Sequence, residues 1–167
     1  MEKDRLLSQE ITDLARRVVE ENAKIGRSIT VAESCTGGLV AAALTEIAGS
    51  SAVLDRGFVT YSNDAKMQML GVASDIIETF GAVSIACVWA MAGGALQKSK
   101  ADVAVAISGV AGPDGGTKLK PVGTVVFARA IRGGEGEPEG ELKSFGDGTR
   151  AEIRHQATVC ALELLLP

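Results

Sequence analysis

A chain of 167 residues, 46% apolar and 23% charged, can bury one hydrophobic core without cross-links. Its net charge of −4 gives no footprint for nucleic acid, and the three spread cysteines, Cys35, Cys87 and Cys160, form neither a disulfide framework nor a Cys/His zinc spacing. No stretch reaches the roughly 18 apolar residues of a membrane span, and the charged opening MEKDRLLSQEITDL lacks a signal-peptide core; the expectation is a cytoplasmic protein of a reducing compartment without a membrane partner.

Residues 4–24 carry Leu7, Ile11, Leu14, Val18 and Val19 at helical spacing, and Gly26 follows as a C-cap. SITVAES reads as a strand, TGGLVAAALTEIAGSS as a helix, and AVLDRGFVTYS as a second strand whose best part is 58–62. Asn63 is the expected N-cap of a short helix over NDAKMQMLGV, and SDIIETFGAV continues the helical pattern. SIACVWAMAGGALQKSK is a helix with a small-residue face. ADVAVAISG is an apolar, central strand buried on both faces. A breaker-rich loop, VAGPDGGTKLKPV, leads to the strand GTVVFARAIR, a solvent-facing turn and a short edge strand. TRAEIRHQATVCALELLL closes the chain as a helix capped by Thr149. This alternation predicts one domain over 1–167, a three-layer α/β/α sandwich. The hairpin over 123–145 makes its mostly parallel sheet a mixed one.

Three polar, glycine-rich segments follow strands: ESCTGG (33–38), YSNDAK (61–66) and SGVAGPDGG (108–116). Ligands of α/β sheets gather beyond the carboxyl ends of strands, so parallel neighbours would bring these loops to one crevice. ESCTGG opens a helix and offers backbone N–H groups to an anion or an oxyanion; its plainer reading is a capped turn. Lys66 stands one turn into a helix, where the positive helix end disfavours its charge, and a neutral lysine can act as a base toward a hydroxyl. Its plainer reading is a solvated lysine. The hydroxyls available to such a base are Ser34, Thr36, Ser50, Ser51, Tyr61 and Ser108. Cys35 lacks a histidine to activate it, since the one histidine, His155, lies inside the closing helix.

With these loops in view, TVAESCTGGLVAAALTEIAGSSAVLDRGFVTYSNDAK, GAVS and AISGVAGPDGGTKLKPVGTVVFA resemble the CinA C-terminal domain family over most of residues 30–128. The resemblance implies hydrolysis of the carboxamide of nicotinamide mononucleotide to nicotinate mononucleotide and ammonia. It implies a serine–lysine mechanism with no metal or cofactor, and a homo-oligomer. It favours Ser51 as nucleophile and Lys66 as base, with Tyr61 relaying the proton and Ser34 supporting the substrate or oxyanion. Thr36, Gly37, Gly38, Asn63, Ser108 and Gly109 are the expected substrate contacts. Arg150 and Arg154, one turn apart at a helix start, are the expected phosphate clamp, with Lys118 and Lys120 of the PDGG loop as the alternatives. The rival reading is a non-catalytic nucleotide-binding module linked to competence or DNA damage; the acidic net charge speaks against direct nucleic-acid binding.

Overall fold

The computed structural model describes residues 4–167. In chain order its elements are α1 (Gln9–Lys24), β1 (Ile29–Glu33), α2 (Leu39–Thr45), β2 (Leu54–Val59), α3 (Asn63–Leu70), α4 (Ser74–Phe80), α5 (Ile85–Gln97), β3 (Val103–Gly109), β4 (Thr124–Ile131), β5 (Glu139–Ser144) and α6 (Arg150–Leu164). The strands form one sheet in the order β2-β1-β3-β4-β5. β1 pairs in parallel with β2 and β3, whereas β4 runs antiparallel to both β3 and β5. Four strands therefore point one way, giving the mixed, mostly parallel sheet expected from the sequence.

The two-residue period of the strands sorts their side chains into two cores. Val31, Val103, Val105, Ile107, Val125 and Phe127 face α1, α2 and α6. Ala32, Ala104, Ala106, Val126, Ala128 and Ala130 face α5 and its neighbours. Helices thus cover both sheet faces, as the three-layer reading requires. The bulky face fills a deep core, and the alanine face lets α5 lie close to the sheet. α5 is equally close to α3, because a Cβ on Gly94 would stand 2.0 Å from the Leu70 carbonyl oxygen. α3 is thereby seated firmly, and α3 carries Lys66. Among the described residues no helix is long and apolar enough to cross a membrane.

Several expected boundaries move. α1 starts at Gln9, because the Ser8 side chain accepts from the Ile11 amide and caps it there. β2 spans Leu54–Val59 and does not centre on 58–62. Its register follows β1, so the poor strand formers Arg56 and Gly57 enter the sheet on pairing, while Asp55 is passed over at the register shift between Ile29 and Thr30. Ser62, not Asn63, caps α3, through an Ala65 N–H to Ser62 Oγ bond of 3.0 Å. This leaves the Asn63 side chain free of capping. Residues 74–80 form the separate helix α4. Thr149 caps α6 as expected.

Candidate active site

Because β1 lies between β2 and β3 and parallel to both, the loops after these three strands meet at one edge of the sheet. They enclose a cleft of about 330 Å³, at the small end of the range for ligand sites. From the first loop it takes Ser34 and Cys35; from the second, Tyr61, Asn63 and Lys66. The third loop supplies Ser108, Gly109 and the run from Val110 to Gly112, with Asp114 and Gly115. Arg150 enters from the start of α6, and Ala82 and Val83 from the turn before α5.

Lys66 is the chemical centre of this cleft. It is 1% exposed, and its Nζ donates to Ser34 Oγ at 2.9 Å, to the Thr60 carbonyl at 2.9 Å and to the Tyr61 carbonyl at 3.2 Å. No carboxylate pairs with it among the described residues. Burial therefore holds its amine below the ordinary lysine pKa of 10.5, opposed weakly by Cys87 and Cys35. The start of α3 acts in the same direction. Once neutral, the amine has two N–H bonds to give and two carbonyls to receive them. Its lone pair is then left for the Ser34 hydroxyl. This arrangement suits a base that removes a proton from one specific serine.

Ser34 is fixed by its place just after β1. Its amide donates to the Ile107 carbonyl at 3.0 Å, which makes it an extension of the β1–β3 ladder. The expected Ser51–Lys66 pair does not form within the chain, where Lys66 meets Ser34 instead. Ser51 lies in a 3-10 turn before β2, where the Ile29 amide meets the Val53 carbonyl at the amino end of β1. Lys66 lies beyond the carboxyl end of β2. At about 3.3 Å per residue, the length of β2 keeps the two roughly 20 Å apart.

The helix start at ESCTGG is already filled by its own carboxylate. Glu33, 1% exposed, accepts from Thr36 Oγ1 at 2.6 Å, the Val40 amide at 2.9 Å and the Ala41 amide at 3.1 Å. The helix amides of the expected anion cradle are thus taken by an internal cap. Thr36, wholly buried and bonded to Glu33, lies outside the cleft lining, as do Gly37 and Gly38. Gly37 and Gly38 have φ of 61° and 103°, which the tight turn needs. The backbone N–H groups of Cys35 and Thr36 meet no acceptor from another described residue. They are the donors left beside Ser34.

The two arginines divide. Arg154 donates to the Cys35 carbonyl at 3.1 Å and the Thr36 carbonyl at 3.3 Å, so it braces the Ser34 loop from behind. It does not line the cleft. Arg150 does, donating to the Gly112 carbonyl at 2.6 Å and to Tyr61 Oη at 3.1 Å. It joins two walls of the cleft with no carboxylate on its guanidinium. Ser108 is 2% exposed, lines the cleft, and its hydroxyl bonds to no other described residue. Cys35 also lines it, but burial pushes its thiol up to about 11, so it is protonated at neutral pH. Lys120 donates to the Phe80 carbonyl at 2.7 Å and stays outside. Sequence reasoning missed Ala82, Val83 and Asp114 as lining; the GPDGG run that carries Asp114 reads locally as an ordinary turn.

The chain is 51% identical over 160 residues to nicotinamide-nucleotide amidohydrolase PncC of Escherichia coli (strain K12), covering 96% of this chain and 95% of that one. It is 53% identical over 140 residues to a CinA-like protein of Mycolicibacterium vanbaalenii, covering 84% of this chain and 32% of that protein. The crystal structure of competence/damage inducible protein CihA from Agrobacterium tumefaciens superposes with a TM-score of 0.92 at 51% identity, covering 96% of each chain. The family model described as the CinA C-terminal domain matches residues 11–167. The chain belongs to the CinA C-terminal domain family.

Proposed function

We propose that this chain hydrolyses the carboxamide of nicotinamide mononucleotide to nicotinate mononucleotide and ammonia, with Ser34 as nucleophile and Lys66 as its base. One observation carries the mechanism: the buried Lys66 Nζ lies 2.9 Å from Ser34 Oγ, with its other hydrogens directed to two backbone carbonyls. The name of the Escherichia coli relative supports the reaction.

Neutral Lys66 takes the Ser34 proton as Oγ bonds to the carboxamide carbon. The amide oxygen becomes an oxyanion beside the Cys35 N–H, the free donor next to the nucleophile. When the carbon–nitrogen bond breaks, the Lys66 ammonium returns the proton to the leaving nitrogen, and ammonia departs from an ester on Ser34. Water then attacks the ester, gives its proton to Lys66, and the carboxylate leaves as Ser34 recovers its hydrogen. Ser108 and Asn63 offer uncommitted polar groups to the substrate. Arg150 is the cleft's one guanidinium and the natural partner of the phosphate.

Ammonia release by the purified chain on nicotinamide mononucleotide tests this reading. Turnover by the wild type and its loss in Ser34→Ala and Lys66→Met support it. Binding of the nucleotide without ammonia release across neutral to alkaline pH would overturn it and leave a binding module.

A further inference from the structure

The cleft holds two opposite charges that do not meet. Asp114 is the sole carboxylate on its lining. It enters none of the ion pairs and none of the side-chain hydrogen bonds of the described residues. Arg150 faces the same space, yet its guanidinium is turned to the Gly112 carbonyl and to Tyr61 Oη. Two opposite charges in one small cleft would ordinarily pair. Keeping them apart, each without a counter-ion, leaves a site complementary to a ligand with a separated cation and anion.

The catalytic pair fixes how such a ligand lies. The amide must reach Ser34, and an anionic tail reaches Arg150. On an N-ribosylated pyridine carboxamide the quaternary ring nitrogen lies between the amide and the phosphate. We propose that Asp114 is the counter-ion to that ring cation, so that the site selects charged pyridinium amides over uncharged amides of the same shape. The inference rests on the amidohydrolase reading above and adds a specificity residue to it. The flanking Gly112 and Gly115, with φ of 76° and 88°, hold the turn that carries Asp114 at the mouth. Asp114 itself is exposed, so its pair with the ring is partly screened and worth about fivefold in affinity.

The test uses two nucleotides that differ in ring charge. Nicotinamide mononucleotide is the substrate; its 1,4-dihydro form keeps the carboxamide, ribose and phosphate but carries an uncharged ring, and is read as a competitive inhibitor. Asp114→Asn is expected to lower kcat/KM for the charged nucleotide about fivefold while leaving the inhibition constant of the reduced one within about twofold. Added salt should weaken the wild type's use of the charged nucleotide more than the variant's. Equal losses on both nucleotides would assign Asp114 to the ribose or to loop support and overturn the inference, as would an unchanged kcat/KM. Absence of ammonia from the wild type is a separate result: it refutes the activity itself and takes this inference with it.

Discussion

Replacing Glu33 with glutamine tests whether the start of α2 is an internal cap or an open anion site. The carboxylate holds the Thr36 hydroxyl and the Val40 amide on one oxygen and the Ala41 amide on the other. A glutamine oriented to keep the first two presents an NH2 group to the Ala41 N–H. One buried donor then loses its acceptor, at about 1–3 kcal/mol, and the helix start loses its negative charge, at about 0.3–1 kcal/mol or somewhat more when buried. The sum is about 3 kcal/mol, and for a chain of this length that lowers Tm by about 6–12 °C. Thermal unfolding followed by circular dichroism reads the shift. Glu33→Ala should be worse, because all three donors are orphaned in a site closed to water. An unchanged or raised Tm for Glu33→Gln would show that the carboxylate is not the cap, and the α2 start would again be open to a substrate anion.

Four further outcomes follow from the geometry. Gly94→Ala must force α3 from α5, since its Cβ would meet the Leu70 carbonyl; it should cost about 1–3 kcal/mol or more and lower kcat through Lys66. Gly93→Ala next to it meets nothing within 4 Å and should instead stabilise the helix by roughly 0.5–1 kcal/mol, so chemical denaturation of the two variants should give opposite signs. The pH profile follows from Lys66: its folded pKa lies below the unfolded 10.5, so between the two the unfolded chain holds the extra proton. Both kcat/KM and the Lys66 contribution to stability should therefore rise with pH through that window, and Lys66→Met should flatten the stability rise. Cys35→Ala should keep kcat within about threefold, and the wild-type thiol should alkylate slowly at pH 7.5, because burial keeps it protonated there. Arg154→Ala should lower Tm and kcat by loosening the Ser34 loop, whereas Arg150→Ala should mainly raise KM.

The sheet was legible in the sequence where local pattern and tertiary demand agree. The run Val103–Gly109 is apolar throughout because it is covered on both faces, and the three polar loops converge because β1, β2 and β3 are parallel. β2 was misplaced because its edge position requires little hydrophobicity and its register is dictated by β1. Lys66 was legible as a candidate base from its place near a helix start. Its partner was not, because Ser34 and Ser51 are alike as sequence: each is a serine at a turn beside an element. Only the parallel run of β1 and β2 separates them, since Ser34 follows β1 at the carboxyl edge and Ser51 precedes β2 at the amino edge. Glu33 hid its role for a similar reason. A carboxylate beside an anion-binding turn reads as a conflict until the backbone shows that it is itself the anion. Arg150 and Arg154 share a helical face in sequence, yet one reaches forward into the cleft and the other backward to two carbonyls.

The central claim is that Ser34, not Ser51, is the hydroxyl activated by Lys66. Single-turnover and steady-state ammonia release from nicotinamide mononucleotide by Ser34→Ala and Ser51→Ala, each checked for folding by its unfolding transition, tests it directly. The account predicts a loss of at least about a thousandfold in kcat for Ser34→Ala, in line with removing a nucleophile, and near-wild-type turnover for Ser51→Ala. A folded Ser34→Ala enzyme with normal turnover, or a folded Ser51→Ala enzyme with none, would contradict it.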